Sequence, residues 1–262
     1  MWSGGFYFNQ NIIEHVTLNF YSMEKKRNPI WKNKFIYALV ATVFLLSACK
    51  KETPVDNTPV SGLMAVNLVP DQPAVDFIMS GNYLTNSPLA YTNYSGTYLS
   101  VYSGNRTVAL GLANTDTTVS QTDYVFEPSK FYSVIAMGAN GNYRNLVLND
   151  NIDSLATGSG LAFVRYVNAV PDSSKSEISI AQNGNNLLNA NAPFATASDF
   201  KSVTPGDITV TASGENYAVN RTISVEKDKV YTVMLMGIPQ ATDTAKAVQI
   251  KYILNGTVSP NP

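Results

Sequence analysis

Little in this 262-residue chain can do covalent chemistry. It has one histidine, His15, and one cysteine, Cys49. A serine or cysteine nucleophile is normally activated by an adjacent base, most often histidine, and His15 stands in a segment read below as removed. Ser173-Ser174-Lys175 holds the residue types of a Ser–Lys pair, yet neighbours on a polar loop are not a preorganised dyad. Zinc of the usual Cys/His kind has no ligand set. Paired carboxylates are the best remaining catalytic option, because two carboxyls held roughly 5–9.5 Å apart across a cleft can hydrolyse a glycosidic bond. Asp71 with Asp76, and Asp172 with Glu177, are the candidate pairs. Asp76 alternates with Val75, Phe77 and Met79, so it should point away from the core, and Asp71 follows Pro70 in a turn. A turn former plus an exposed strand charge is the favoured reading.

Two further clusters concern binding. Asn149-Asp150-Asn151-Ile152-Asp153 has the composition of a calcium loop. An EF-hand starting at Asp150 would need glycine at its sixth position and glutamate at its twelfth, where the chain has Leu155 and Leu161. An irregular calcium site stays open there, with an inter-domain turn favoured; no metal or cofactor is assigned. Tyr91, Tyr94, Tyr98 and Tyr102 form the second cluster, with Tyr83 upstream. Residues 94, 98 and 102 share parity, so a continuous strand would place them on one face. Such a face could stack on sugar rings or bind a protein. Against it, Gly96 interrupts the run and Tyr98 aligns with Phe200, a core-like residue.

What positions these residues begins at Met23. Five cationic side chains lie between Met23 and Lys34, and residues 35–48 are an uncharged run of 14. A bilayer needs about 20 residues of helix, so the run has the length of a signal-peptide core behind its positive flank. It ends in Leu46-Ser47-Ala48-Cys49, which resembles the lipobox of bacterial lipoproteins. That resemblance implies an acylated Cys49 thiol at a new N-terminus. Residues 1–22 then read as an over-extended start, 23–48 as the signal peptide and 49–61 as lipidated cysteine plus flexible tether. Twelve residues after the cysteine span about 20 Å as a coil and roughly 40 Å stretched. Removing residues 1–48 takes five of 18 basic and two of 19 acidic side chains, leaving 13 against 17, net −4. No acidic residue follows Cys49, since Lys50 stands there; this tilts the anchor towards the outer membrane. Charged residues make up only 14% of the chain and its pI is about 5.8. A basic face for nucleic acid is therefore excluded, and the apolar fraction is too high for disorder.

The remainder repeats itself. Val66-Asn67-Leu68-Val69-Pro70-Asp71 returns as Val167-Asn168-Ala169-Val170-Pro171-Asp172. Lys130-Phe131-Tyr132-Ser133-Val134-Ile135-Ala136-Met137-Gly138 returns as Lys229-Val230-Tyr231-Thr232-Val233-Met234-Leu235-Met236-Gly237. Tyr98, Val101, Gly104 and Val108 match Phe200, Val203, Gly206 and Val210, and Leu148-Asn149 matches Leu254-Asn255. Ile178/Ile180, Ile208/Val210/Ala212, Ile223/Val225 and Val248/Ile250/Tyr252/Leu254 alternate with polar neighbours, the period of half-buried strands. Asn140-Gly141-Asn142, Asn183-Gly184-Asn185 and similar tripeptides supply hairpin turns. The expected fold is all-β: two tandem sandwiches over 62–157 and 160–262, divided near Thr157-Gly158-Ser159 and touching, because the divider is short.

Residues 66–78 resemble the opening of the domain of unknown function 4397, and the segments ending at Gly138 and Gly237 resemble its closing strand. The second copy departs, with Ser173-Ser174-Lys175-Ser176-Glu177 in place of Gln72-Pro73-Ala74-Val75-Asp76. The resemblance implies immunoglobulin-like sandwiches and a cell-envelope setting, and it implies no catalytic residues. Asp116-Thr117-Thr118, Asp153-Ser154-Leu155 and Asp243-Thr244-Ala245 resemble short O-glycosylation sites of exported Bacteroidota proteins. The resulting expectation is a non-enzymatic envelope lipoprotein, held to the membrane by lipid and binding a glycan or an envelope protein. The alternative is a glycan hydrolase using Asp71 and Asp76.

Overall fold

A computed structural model of the protein describes residues 58–171 and 176–258. The segments read as an over-extended start and a signal peptide, the Leu46-Ser47-Ala48-Cys49 motif, most of the expected tether and Asp172, Ser173, Ser174 and Lys175 lie outside the described residues. No helix among the described residues is long and apolar enough to cross a membrane.

The first repeat contains β1 (Val60–Asn67), β2 (Ala74–Met79), β3 (Asn82–Tyr83), β4 (Leu89–Ala90), β5 (Leu99–Tyr102), β6 (Gly104–Leu112), β7 (Thr118–Phe126), β8 (Phe131–Ala139) and β9 (Asn142–Asn149). A single 3-10 turn, Ile152–Ser154, follows. The second repeat contains β10 (Ala162–Asn168), β11 (Glu177–Gln182), β12 (Asn185–Asn191), β13 (Thr196–Ala197), β14 (Lys201–Val203), β15 (Gly206–Gly214), β16 (Tyr217–Val225), β17 (Lys229–Met236) and β18 (Gln249–Thr257). Each repeat is a two-sheet sandwich, and the chain is all-β as expected. Its sheets run β5-β1-β8-β9 and β3-β2-β6-β7 in the first copy, β13-β10-β17-β18 and β12-β11-β15-β16 in the second. In both copies the opening strand pairs parallel with the penultimate one: Val66 opposes Ile135, and Val167 opposes Met234.

The repeated Val-Asn-X-Val-Pro motif has a structural cause. Asn67 and Asn168 are fully buried at the ends of β1 and β10. Each donates its amide to a carbonyl of the returning chain, Leu89 at 2.8 Å and Ala192 at 2.6 Å. Each also accepts from the backbone N–H two residues on, Val69 and Val170, at 2.9 Å. One side chain thus satisfies buried backbone groups that the strand end would otherwise strand.

Three apolar cores are stacked. Leu63, Val75, Phe77, Leu110, Phe126 and Val134 fill the first sandwich, and Val164, Ile178, Ile208, Val210, Ile223 and Val233 fill the second. Between them lies a third core, where Met64, Val66, Ile135 and Met137 meet Val167, Met234, Met236 and Ile253. The described residues therefore form one compact unit, a four-layer stack in which β1, β8, β10 and β17 are covered on both faces. That explains the unbroken apolar runs Val134-Ile135-Ala136-Met137 and Val233-Met234-Leu235-Met236, which a strand with one wet face would not show. Methionine suits this seam because its flexible thioether fills irregular gaps.

One alternation differs from expectation. In β18, Ile250 is buried, but Tyr252 and Leu254 are 39% and 36% exposed, while Ile253 and Asn255 are buried. Residues of the other parity are covered because the first repeat packs on that face. The register also pairs Leu148 with Ser133 and Ile253 with Thr232. Asp150 is thereby the counterpart of Asn255, one residue away from the sequence match.

Candidate functional site

The tyrosines do not assemble into one exposed face. Gly96 takes a positive φ of 81°, and Ser95 turns the chain by donating its hydroxyl to the Thr97 carbonyl at 2.8 Å. The strand β5 begins only at Leu99, so parity across residues 94–102 has no continuous strand to act on. Tyr91, Tyr94 and Tyr98 are half-buried against the core between the repeats, whereas Tyr102 is 53% exposed beyond it. Burial raises the Tyr91 hydroxyl to about 12. Burial, and then the Asp150 carboxylate, push the Tyr98 hydroxyl upward as well. Both phenols stay neutral, and Tyr98 acts as a donor.

Tyr98 belongs to a closed polar ring that the sequence reading missed. Its hydroxyl donates to Asp150 Oδ2 at 2.6 Å, and Ser133 Oγ donates to the same oxygen at 2.8 Å. Arg165 Nη2 donates to Ser133 Oγ at 3.1 Å, and Arg165 Nε to Thr232 Oγ1 at 2.9 Å. Thr232 donates to Asn255 Oδ1 at 2.6 Å, and the Asn255 amide returns to the Tyr98 hydroxyl at 3.3 Å. Arg165 and Asp150, each at most 3% exposed, also form an ion pair at 2.7 Å outside hydrogen-bond alignment. Phe200 lies under the guanidinium at 4.5 Å, the seat that its match with Tyr98 implies. Three ring members come from each repeat, so the ring bridges the two sandwiches. The signal was present: Arg165 is the lone charge in an otherwise apolar strand. Asp150, expected in a turn or irregular calcium loop, is instead the arginine's counter-ion. Among the described residues no group of three or more His, Cys, Asp or Glu could hold a metal.

The carboxylates near Pro70 have separate surroundings. Asp71 Oδ2 accepts from the Asn140 N–H at 2.6 Å and from the Tyr143 hydroxyl at 3.0 Å, which ties the turn after β1 to the β8–β9 hairpin. Asp76 points away from Val75 and Phe77, as alternation requires, but it is only 8% exposed. The reason is the chain after β3. Leu84 still donates its N–H to the Phe77 carbonyl; residues 85–88 then leave the sheet, arch beside Asp76 and return as β4 beside Ala74 and Val75. In the second repeat, β12 instead stays paired along β11, with one bulge at Leu187, and brings Asn191 opposite Glu177, which is exposed.

The arch and the β6–β7 turn border an open pocket of about 580 Å³ over Asp76. Asp76, Asn86, Asn114 and Asp116 line it, with Tyr83 at its rim, and Asp71 does not reach it. Gly111, opposite Asp76 across the ladder, adds no side chain to fill the space. The Asp76 carboxylate has no hydrogen bond or ion pair among the described residues. Loss of water alone raises its pKa above 3.8.

The sequence profile of one family, described as a domain of unknown function (DUF4397), matches residues 61–161 and again 162–252. No curated protein matches the chain. Among solved structures, a candidate cell adhesion protein from Bacteroides eggerthii aligns at 8% identity over 77% of this chain and 97% of that one, with a TM-score of 0.22. Another from Bacteroides ovatus aligns at 6% identity over 76% and 99%, with a TM-score of 0.23. Overlaps of that size bear on neither fold nor function here.

Proposed function

Because the chain belongs, twice over, to the DUF4397 family, we propose that it is a non-enzymatic lipoprotein of the cell envelope, a binding and structural module moored through Cys49. The observation that carries this reading is the buried ring around Arg165. It joins two sandwiches into one body, whereas an enzyme would be expected to bring its carboxylates together across a cleft. Asp71 is occupied by the hairpin and Asp76 stands apart from it.

The strand directions support a role in presentation. The tether enters at β1, where Val60 opposes Tyr102 and the Ser103 N–H donates to the Pro59 carbonyl at 2.9 Å. From Gly104 beside this entry, the nine residues of β6 run about 26 Å at 3.3 Å per residue. The pocket over Asp76 thus lies at the end of the sandwich away from Pro59 and Val60. An anchor of two or more acyl chains holds stably, since each buried CH₂ contributes about 0.8 kcal/mol and one chain alone binds reversibly. The outer membrane is the proposed location, with a glycan or an envelope protein as partner.

Substituting Cys49→Ser tests the reading. The native protein is expected to take up labelled palmitate and to sediment with membranes. The variant is expected to carry no label and to accumulate as the larger precursor retaining residues 23–48. Normal size and continued sedimentation in the variant would overturn the assignment.

A further inference from the structure

We propose that the pocket over Asp76 binds a neutral or amino sugar residue, the Asp76 carboxylate accepting hydrogen bonds from its hydroxyls while its ring face stacks on Tyr83. This deepens the reading of the protein as a binding module and rests on it. Asp76 is the starting point: a residue more than nine-tenths buried whose carboxylate lines a pocket and has no hydrogen bond or ion pair among the described residues. An ionised carboxylate is acceptor-only, and one partly stripped of water without protein donors weakens the fold. The charged form is penalised above its raised folded pKa, and the penalty is relieved as pH falls toward the unfolded value of 3.8. The second repeat avoids this cost by leaving Glu177 in water. The first repeat has built an arch that creates it.

The surroundings specify what would satisfy Asp76. Asn86 and Asn114 offer amides that both donate and accept, while the Thr85 and Thr115 hydroxyls, which donate to the Ser87 and Leu112 carbonyls, offer acceptor lone pairs; together they suit a ring of hydroxyl groups. Tyr83, 62% exposed at the rim, offers a flat apolar surface with a polar tip. A volume of about 580 Å³ falls within the range of small-molecule sites, roughly 300–1,000 Å³, and a lone cation would leave most of it to water. Asp116 adds a second negative charge, which disfavours uronic and sialic acids and favours neutral or amino sugars.

The test uses the full chain purified as the cell processes it, on immobilised glucose, galactose, mannose, N-acetylglucosamine, glucosamine and glucuronic acid. Binding to at least one of the neutral or amino sugars, and not to glucuronic acid, is expected. Asp76→Asn should weaken it at least tenfold, Tyr83→Ala at least fivefold, and Glu177→Gln not at all. Asp76→Asn should also leave the melting temperature unchanged or raised, since it removes a buried charge without a partner. Absence of binding to all six sugars, or binding that survives Asp76→Asn, would overturn the proposal. Asp76-dependent binding of calcium chloride alone would overturn it too, in favour of a cation site. The anchoring test on Cys49 is read by fractionation and label, so either idea can fail while the other stands.

Discussion

Arg165→Met is expected to destabilise the protein by about 3–5 kcal/mol, the range for removing one partner of a buried ion pair. The substitution is mild in shape. The shared register places Met64 opposite Ser133 and Arg165 opposite Thr232, so methionine already occupies this position in the first repeat. The loss comes from what remains: an Asp150 carboxylate in the seam without its cation. Asp150→Asn alone leaves the opposite charge stranded and should cost a similar amount. Asparagine, too, is the resident of the equivalent position, at Asn255. The double variant Arg165→Met with Asp150→Asn removes both charges together, and replacing a whole buried pair is often neutral. Its cost should stay below about 2 kcal/mol, giving a coupling energy of at least about 4 kcal/mol in the double-mutant cycle. Urea midpoints of the four proteins measure this. Additive effects, or a single-variant cost under about 1 kcal/mol, would show that the ring does not join the repeats energetically.

Gly138→Ala should be about as damaging, at roughly 3 kcal/mol or more, for a backbone reason. Gly138 closes β8 at a φ of +107°, and a Cβ there would come within 2.1 Å of the Asn142 carbonyl oxygen. Gly237 closes β17 at +112°, with the Ala247 carbonyl oxygen at 2.3 Å. Positive φ alone costs a non-glycine residue about 1–3 kcal/mol, and a clash with backbone cannot be relieved by turning a side chain. Gly141→Ala is the control. It also has positive φ, at +84°, but its added Cβ meets nothing within 4 Å, so it should cost about 1 kcal/mol. Equal effects at positions 138 and 141 in thermal melts would refute the contact argument.

Much of the fold was legible because its information is local. Ile208, Val210 and Ala212 alternate in sequence and are buried in β15; the turn at Asn140-Gly141 sits where glycine and asparagine can take positive φ. The four-layer stack was less legible. Its mark is the double-sided apolarity of β1, β8, β10 and β17, which shows that a strand is covered twice but not by what. The candidate site was read least well. Alternation gave the direction of Asp76 correctly and its exposure incorrectly, because the covering arch comes from residues 85–88 and no strand period encodes it. The tyrosine parity argument failed for the opposite reason, assuming a regular strand where Gly96 and Ser95 turn the chain. Arg165 was visible as a charge in an apolar strand. Its partner Asp150 looked like a loop residue because Asn and Asp crowd around it.

Lipid on Cys49 is proposed to hold this two-sandwich body at a membrane outside the cytoplasm. The intact mass of the protein extracted from membranes is the decisive test of that proposal. The expected species begins at Cys49, with the mass of residues 49–262 increased by diacylglyceryl and, where present, an amide-linked acyl chain. A membrane-extracted protein that retains residues 23–48, or that carries an unmodified Cys49, would contradict it.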